Sequence, residues 1–482
     1  MTMATSRTRF IFCLTALLGA EALPAQEISP PLDAELREVR AVLQSARFHE
    51  AVSYIEQSEA ETVQEWLSIC NADGPSGAEG ARSRLLYKLF RIYGLENVHI
   101  DDALNVIGVR PGTGDGPAVI LNSHHDNVAL SPLDQPVEAF IADGRVWCPA
   151  AFDDLAGTTQ MLTALRAMNA ANLETEGDVW FVAFTGEEAP IGPSHPDASP
   201  GSEQFVRANY PHNIDWRRGD ILLQFHGRGG QGVTTGSVPV RHRTILRVFA
   251  PFERNRWGPH TVDALARIVS RIGPEVRDPR STSLEFDYTA DPPADSDVLF
   301  LNMAMIGASE ITSRPASEAW VRFDMRSASE DRLWSAHRKI QEIAAEEARA
   351  MGEEFSYVYE INSKNGTAEG IAGWDQVNNR PARIAAAAAR ALYGVEPVID
   401  STTGCGDCVR AYRTGMPAMS LRGNVIDRGG GEFDVAGNTV LQSAVRRRTA
   451  THDVTESALI AELWAGVKHG LLFAVAYAGF SN

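Results

Sequence analysis

Four short clusters in this 482-residue chain bring imidazoles and carboxylates together at spacings that could do chemistry. The first is Ser123-His124-His125-Asp126, in which His124 and Asp126 lie two apart, so an extended segment turns both to one face. A carboxylate beside a ligating imidazole fixes its tautomer and raises its basicity. The second, Ala151-Phe152-Asp153-Asp154-Leu155-Ala156-Gly157, reads as a turn into a helix. A carboxylate there either bridges two metal ions or caps the helix. The third, Phe184-Thr185-Gly186-Glu187-Glu188, follows an apolar strand. Two adjacent glutamates on a buried approach are costly unless a positive centre sits between them. One can then ligate a metal while its neighbour acts as general base; a solvated loop pair is the plain alternative. The fourth is Thr451-His452-Asp453-Val454-Thr455-Glu456, whose plain role is capping of the final helix by Thr or Asp. Imidazoles mixed with carboxylates favour zinc, with other first-row divalent metals open.

Elements that could position these clusters are legible around them. Strand-like runs cover Asn105 to Val109, Ala118 to Leu121 and Val179 to Phe184, and Ala156 to Met168 reads as a helix between the last two. Before them, the pattern from Asp33 to Tyr93 is mostly helical, broken at Gly74-Pro75-Ser76-Gly77. Strands alternating with helices predict an α/β fold, a mostly parallel sheet flanked by helices. The texture changes near Gly236: amphipathic helices (Val262 to Ile272, Glu330 to Met351) now stand beside alternating strands (Trp320 to Met325, Phe355 to Ile361). That predicts an inserted α+β domain over residues 239–361, dividing a host domain into 26–238 and 362–482. Clusters at strand ends of such a sheet converge at its carboxyl edge, where open α/β sheets bind ligands.

Composition bounds the function. With 44% hydrophobic and 22% charged residues the chain can build a core, which excludes a disordered protein. A net charge of −18 argues against nucleic-acid or anionic-membrane partners, since both reward basic patches. Five cysteines are too few for a disulfide-built scaffold. At the N-terminus, Arg7 and Arg9 precede an apolar run from Phe10 to Ala20, with small residues and Pro24-Ala25 following. This is the order of a secretory signal, and the run is too short to anchor stably in a bilayer. The expectation is a signal peptide over residues 1–25 and an exported protein, periplasmic or secreted; a buried N-terminal helix is the alternative.

Taken together, the clusters resemble a known family, the dinuclear zinc peptidases and amidohydrolases that include aminoacylase, glutamate carboxypeptidase-type enzymes, succinyl-diaminopimelate desuccinylase and tripeptidase T. The resemblance spans about residues 60 to 475. It runs through Gly74-Pro75-Ser76-Gly77-Ala78-Glu79, Asn105-Val106-Ile107-Gly108, His124-x-Asp126, Ala151-Phe152-Asp153-Asp154, Gly186-Glu187-Glu188, Phe323-Asp324-Met325-Arg326 and Thr451-His452. It implies two zinc ions per chain, bridged by Asp153, with Glu188 and His452 completing one site and His124 part of the other. It further implies that Asp126 orients His124 and that Glu187 moves the proton from the attacking water to the leaving nitrogen. The inserted segment resembles the family's lid, which often mediates dimerisation. Within it, His260 resembles an oxyanion-stabilising histidine, although matching on Trp257-Gly258 puts Asn255 there instead; Arg326 resembles a substrate-carboxylate binder.

Two positions depart from the family pattern. Where Asp or Glu commonly ends the strand after the glutamate pair, Ile221-Leu222-Leu223-Gln224-Phe225 ends in His226, making His226 the expected second-site ligand and Asp220 the fallback. An imidazole there removes one negative charge, leaving that metal more electrophilic and more loosely held. An asparagine often found before the arginine strand is replaced by Thr312.

Two other motifs carry less. Gly227-Arg228-Gly229-Gly230-Gln231-Gly232 fits a dinucleotide glycine pattern, but leads into the strand-like Val233 to Val238 and opens no helix. Cys405 and Cys408 form a Cys-x-x-Cys that is either a local disulfide or two thiols, while Cys70 and Cys148 read as small apolar packing residues.

The expected activity is metal-dependent hydrolysis of an amide bond in a small peptide or N-acyl amino acid. Two other functions compete, a catalytically silent peptide-binding relative and a co-catalytic zinc aminopeptidase. The intact Glu187 argues against the first, and an insertion of the size of residues 239–361 against the second.

Overall fold

The computed structural model describes residues 33–128, 138–188, 201–226, 231–234, 240–250, 260–282, 298–308, 316–327, 329–365, 371–375, 378–394, 398–400, 406–423 and 456–481. The expected signal segment, Asn255, Trp257 to Pro259, Thr312, Cys405 and His452 lie outside them. Four helices come first, α1 (Asp33–Leu43), α2 (Ala46–Gln57), α3 (Glu59–Asn71) and α4 (Gly80–Ile92). The strands β1 (Glu96–Ile100), β2 (Val106–Arg110), β3 (Val119–His124), β4 (Phe140–Ala142) and β5 (Arg145–Trp147) lead into α5 (Leu155–Ala170). Then follow β6 (Glu174–Thr175), β7 (Val179–Phe184), α6 (Gly201–Asn209), β8 (Ile221–His226) and β9 (Gln231–Thr234).

The segment after β9 builds a sheet of its own from β10 (Val240–Phe249), β11 (Phe300–Ala308), β12 (Glu318–Ser327) and β13 (Ser356–Asn365), ordered β11-β12-β10-β13 and antiparallel throughout. The helices α7 (Thr261–Val276) and α8 (Glu330–Met351) pack against it around Leu246, Ile268, Phe323 and Ile340, a core separate from that of the host domain. The chain returns through α9 (Arg380–Tyr393), β14 (Val398–Asp400), α10 (Gly406–Arg413) and β15 (Ala418–Gly423). It ends on β16 (Ser457–Leu459), α11 (Ile460–Ala478) and β17 (Phe480–Ser481).

The large sheet has the order β1-β2-β7-β3-β8-β15-β9-β14. Its centre, β7-β3-β8-β15, is parallel; β1 and β2 on one side and β9 on the other run antiparallel to their inner neighbours, so the sheet is mixed. β3 and β8 are buried at every residue, and β7 at all but Trp180. Strands covered on both faces read as near-continuous apolar runs, which is why these three were visible in the sequence. One cover is α5, buried from Leu155 to Met168 and packed among β3, β8, α2, α3 and α11.

One expectation is corrected here. Cys70 and Cys148 are not packed thiols but a disulfide, because the end of α3 and the loop after β5 bring their Cα atoms to 6.1 Å, within bridging reach. Cys408 is disulfide-bonded too.

Candidate metal centre

The three central strands deliver their chemistry at one edge. His124 is the last residue of β3, His226 the last of β8, and Glu187 and Glu188 follow β7 by one short turn. That turn needs Gly186, whose φ of 67° lies in the left-handed region that favours glycine. Asp153 arrives from the loop before α5, through a cis peptide to Asp154.

His124 Nε2 and His226 Nε2 lie 3.1 and 3.4 Å from the same oxygen, Asp153 Oδ1. The other nitrogen of His124, Nδ1, faces Asp126 Oδ1 at 3.2 Å. With Nδ1 carrying the proton toward Asp126, Nε2 presents a lone pair to the carboxylate oxygen. Lone pairs held this close in a buried site call for a cation or a proton between them. Burial opposes protonation of His124, yet the hydrogen bonds to Asp126 and Asp153 outweigh it and hold the imidazole well above its ordinary pKa. The surrounding carboxylates thus demand positive charge. Among the described residues, His124, Asp153 and His226 offer ligand atoms within 4.8 Å of one another, and so do His124, Glu187 and Glu188. A mixed imidazole and carboxylate donor set fits a first-row divalent metal.

The partners behind these groups are specific. Asp126 is fully buried, accepts from Ser76 Oγ, and takes the backbone N–H groups of Glu187 and Glu188 at 3.1 and 2.9 Å. Burial pushes its carboxyl up, but His124, Ser76 and the Glu188 amide together hold it well below the usual carboxylate range. Glu79 accepts from the amides of Gly77 and Gly186, and Asn105 Oδ1 accepts from the Thr185 amide at 3.1 Å, so both brace the glutamate turn. Arg82, buried, donates to the carbonyls of Ile69, Ala72 and His125, and burial lowers its pKa to about 10.

Asp154 occupies the N-cap position of α5 without capping through its side chain, which instead accepts from Ser123 Oγ at 2.7 Å. The residue that holds Asp153 is Glu456, whose Oε1 accepts the amides of Phe152 and Asp153 at 2.8 and 2.7 Å.

Other positions are placed elsewhere. Asp220 immediately precedes β8, at the end opposite His226, and accepts the amides of Ala118 and Asp215; that geometry separates the fallback ligand from the centre. His260 sits at the N-cap of α7, its amide donating to Asp263, and Arg326 pairs with Asp324 on β12 at 3.3 Å.

Sequence reasoning assigned no role to Glu456, Gln224, Asp407 or Arg410. Gln224 could have been found, since it lies two residues before His226 and shares its face of β8. It donates to Asp407 Oδ2 at 3.2 Å; burial raises the Asp407 carboxyl to about 6, against the pull of Arg410 and His124.

A model of the family described as peptidase family M20/M25/M40 matches residues 120–432, well over half of the chain. The chain belongs to this family. As an M20 member it is a metal-dependent hydrolase of peptide or other amide bonds, in a family of dinuclear peptidases and amidohydrolases. Its fold is shared with the dipeptidase Dug1p of Saccharomyces cerevisiae (TM-score 0.65, 10% identity, covering 89% of this chain and 98% of that one). Human carnosine dipeptidase 1 is similar (TM-score 0.63, 12% identity, 89% and 99%). So is a tripeptidase from Staphylococcus aureus (TM-score 0.56, 16% identity, 87% and 98%). The M20 relatives agree with the α/β host and inserted lid expected from the sequence.

Proposed function

We propose that the chain hydrolyses the amide bond of small peptides or N-acyl amino acids, using two zinc ions or similar divalent cations. The reading rests on one observation, the meeting of His124, Asp153 and His226 at a centre that His124 shares with Glu187 and Glu188. His124, Asp153 and His226 would hold one cation and Glu188 would serve the other, for which the sequence motif also offers His452. A bound cation of this kind polarises a carbonyl and acidifies water. Asp126 keeps His124 in the tautomer that presents Nε2. Glu187, buried and fixed through its amide to Asp126, takes the proton of the attacking water and returns it to the departing nitrogen. Small peptides as substrates are supported by the tripeptidase and dipeptidases that share the fold.

Export is supported by the Cys70–Cys148 disulfide and the disulfide-bonded Cys408, since such bonds persist in oxidising compartments. Dimerisation through the lid is supported by Met305 and Ile306, 47% and 62% exposed on β11, an edge strand of the lid sheet.

Metal analysis by mass spectrometry tests the site. The purified protein is expected to carry about two metal ions per chain and the His226→Ala variant about one. Glu187→Gln is expected to keep its metal while losing turnover on dipeptides and N-acyl amino acids by about 10²–10⁴-fold. A metal-free protein after zinc loading overturns the proposal and leaves a non-catalytic binding protein, whereas full activity in Glu187→Gln overturns the assignment of Glu187 as the general base.

A further inference from the structure

We propose that Arg410 is a positioning residue for Glu187, setting the carboxylate for proton transfer and held in place by Asp407 and Gln224. The inference rests on the assignment of Glu187 as general base.

Glu187 is gripped from two directions. On one side its amide donates to Asp126. On the other, Arg410 Nη2 donates to its carbonyl at 2.8 Å, while Nη1 lies 3.9 Å from its Oε1. Arg410 is itself buried, with a side chain 2% exposed, and Nη1 is 3.7 Å from Asp407 Oδ1. Gln224 bonds the other oxygen of Asp407, so the guanidinium is referenced to β8, the strand that ends in His226. The carboxylate also meets a wall. A Cβ placed on Gly406, the first residue of α10, would lie 1.6 Å from Glu187 Oε1, so any larger residue there drives the carboxylate away.

A glutamate side chain has three soft torsions, and a general base must hold its oxygen within hydrogen-bond reach of the proton it takes. Here the backbone is fixed at amide and carbonyl, and the head group is confined between Gly406 and a guanidinium. A planar fork can serve the Glu187 carbonyl and face two carboxylates at once, which a single ammonium cannot. Displacements of about 1 Å at a reacting group cost about 10²-fold.

The test compares Arg410→Ala, Arg410→Lys and Glu187→Gln in the full metal-loaded chain, using a dipeptide or N-acyl amino acid that the wild type cleaves. In Arg410→Ala, kcat is expected to fall about 100-fold with KM within about threefold and metal content unchanged. Guanidinium at millimolar concentration restores kcat at least about tenfold and methylammonium does not; a merely structural arginine would show no such selectivity. Arg410→Lys loses about tenfold and decides the matter should the alanine variant fail to fold. Wild-type kcat in a folded Arg410→Ala or in Arg410→Lys overturns the proposal, as does loss of metal in parallel with activity. Full activity in Glu187→Gln instead sinks the parent assignment. Loss of turnover in Glu187→Gln alone, with both Arg410 variants fully active, sinks this inference and leaves the parent standing.

Discussion

Replacing Glu456 by alanine should weaken metal binding although Glu456 is expected to touch no metal. Its Oε1 accepts the Phe152 and Asp153 amides at 2.8 and 2.7 Å in a site where the residue is 2% exposed. Hydrogen bonds to an ionised acceptor contribute about 1.5–3 kcal/mol each, and a vacated buried acceptor leaves two amides to find water or move. Taking about 3 kcal/mol as the part spent on ordering Asp153 predicts about a 100-fold loss of affinity, the upper end of what such supporting partners usually contribute. Competition against a chelating dye, with metal content read by mass spectrometry, measures this directly. Glu456→Gln keeps an acceptor oxygen without the charge and should lose about tenfold. The apo proteins, melted side by side, separate general destabilisation from the metal term. A Glu456→Ala protein that resists the chelator as the wild type does would refute the reasoning, whatever its melting temperature.

Two further outcomes follow from groups away from the centre. His469 is buried in α11 beside the Ala385 carbonyl, 2.9 Å from Nε2, and burial lowers its pKa to about 4. A depressed imidazole contributes stability that is present above its unfolded value of about 6.5 and is lost as pH falls toward 4. His469 should therefore contribute about 2.5 kcal/mol to the loss of stability between pH 7.5 and pH 4.5, and in urea unfolding His469→Gln should lessen the fall by about that amount; an equal fall in wild type and variant refutes it. The Cys70–Cys148 disulfide closes 78 residues, for which chain entropy predicts about 4.5 kcal/mol. Cys70→Ser should lower the urea midpoint accordingly, and an unchanged midpoint would show that the bond adds no constraint.

What the sequence made legible were groups that announce themselves locally. His124, His226 and Glu187 stand where buried apolar strands end, so strand periodicity and residue type together pointed to them. The order β7-β3-β8 then brings those ends side by side. His226 and Asp220 differ only in their place along β8, because His226 ends the strand and Asp220 precedes it. Less legible were the groups whose role is a long-range contact. Glu456 lay inside a noted cluster, but its partners are 303 and 304 residues away. Arg410 reaches Glu187 across 223 residues, and Cys70 pairs with Cys148 across 78. Nothing in local spacing encodes such pairings, and an apolar environment for a cysteine looks the same whether or not a second sulfur shares it.

The long reach between Asp153 and Glu456 also dictates an order of events in the life of the protein. A ribosome adding about 5–20 residues per second needs about 15–60 s to cross the 303 residues that separate them. During that interval β3, β7 and β8 can pair, yet the loop carrying Asp153 has no acceptor for its amides. The lid sheet, whose strands all lie between β9 and α9, can form its own core meanwhile. Only when β16 pairs with β5 does the last acceptor arrive. Until Glu456 has been made the Asp153 loop lacks its brace, so in that interval the centre holds metal about 100-fold more weakly.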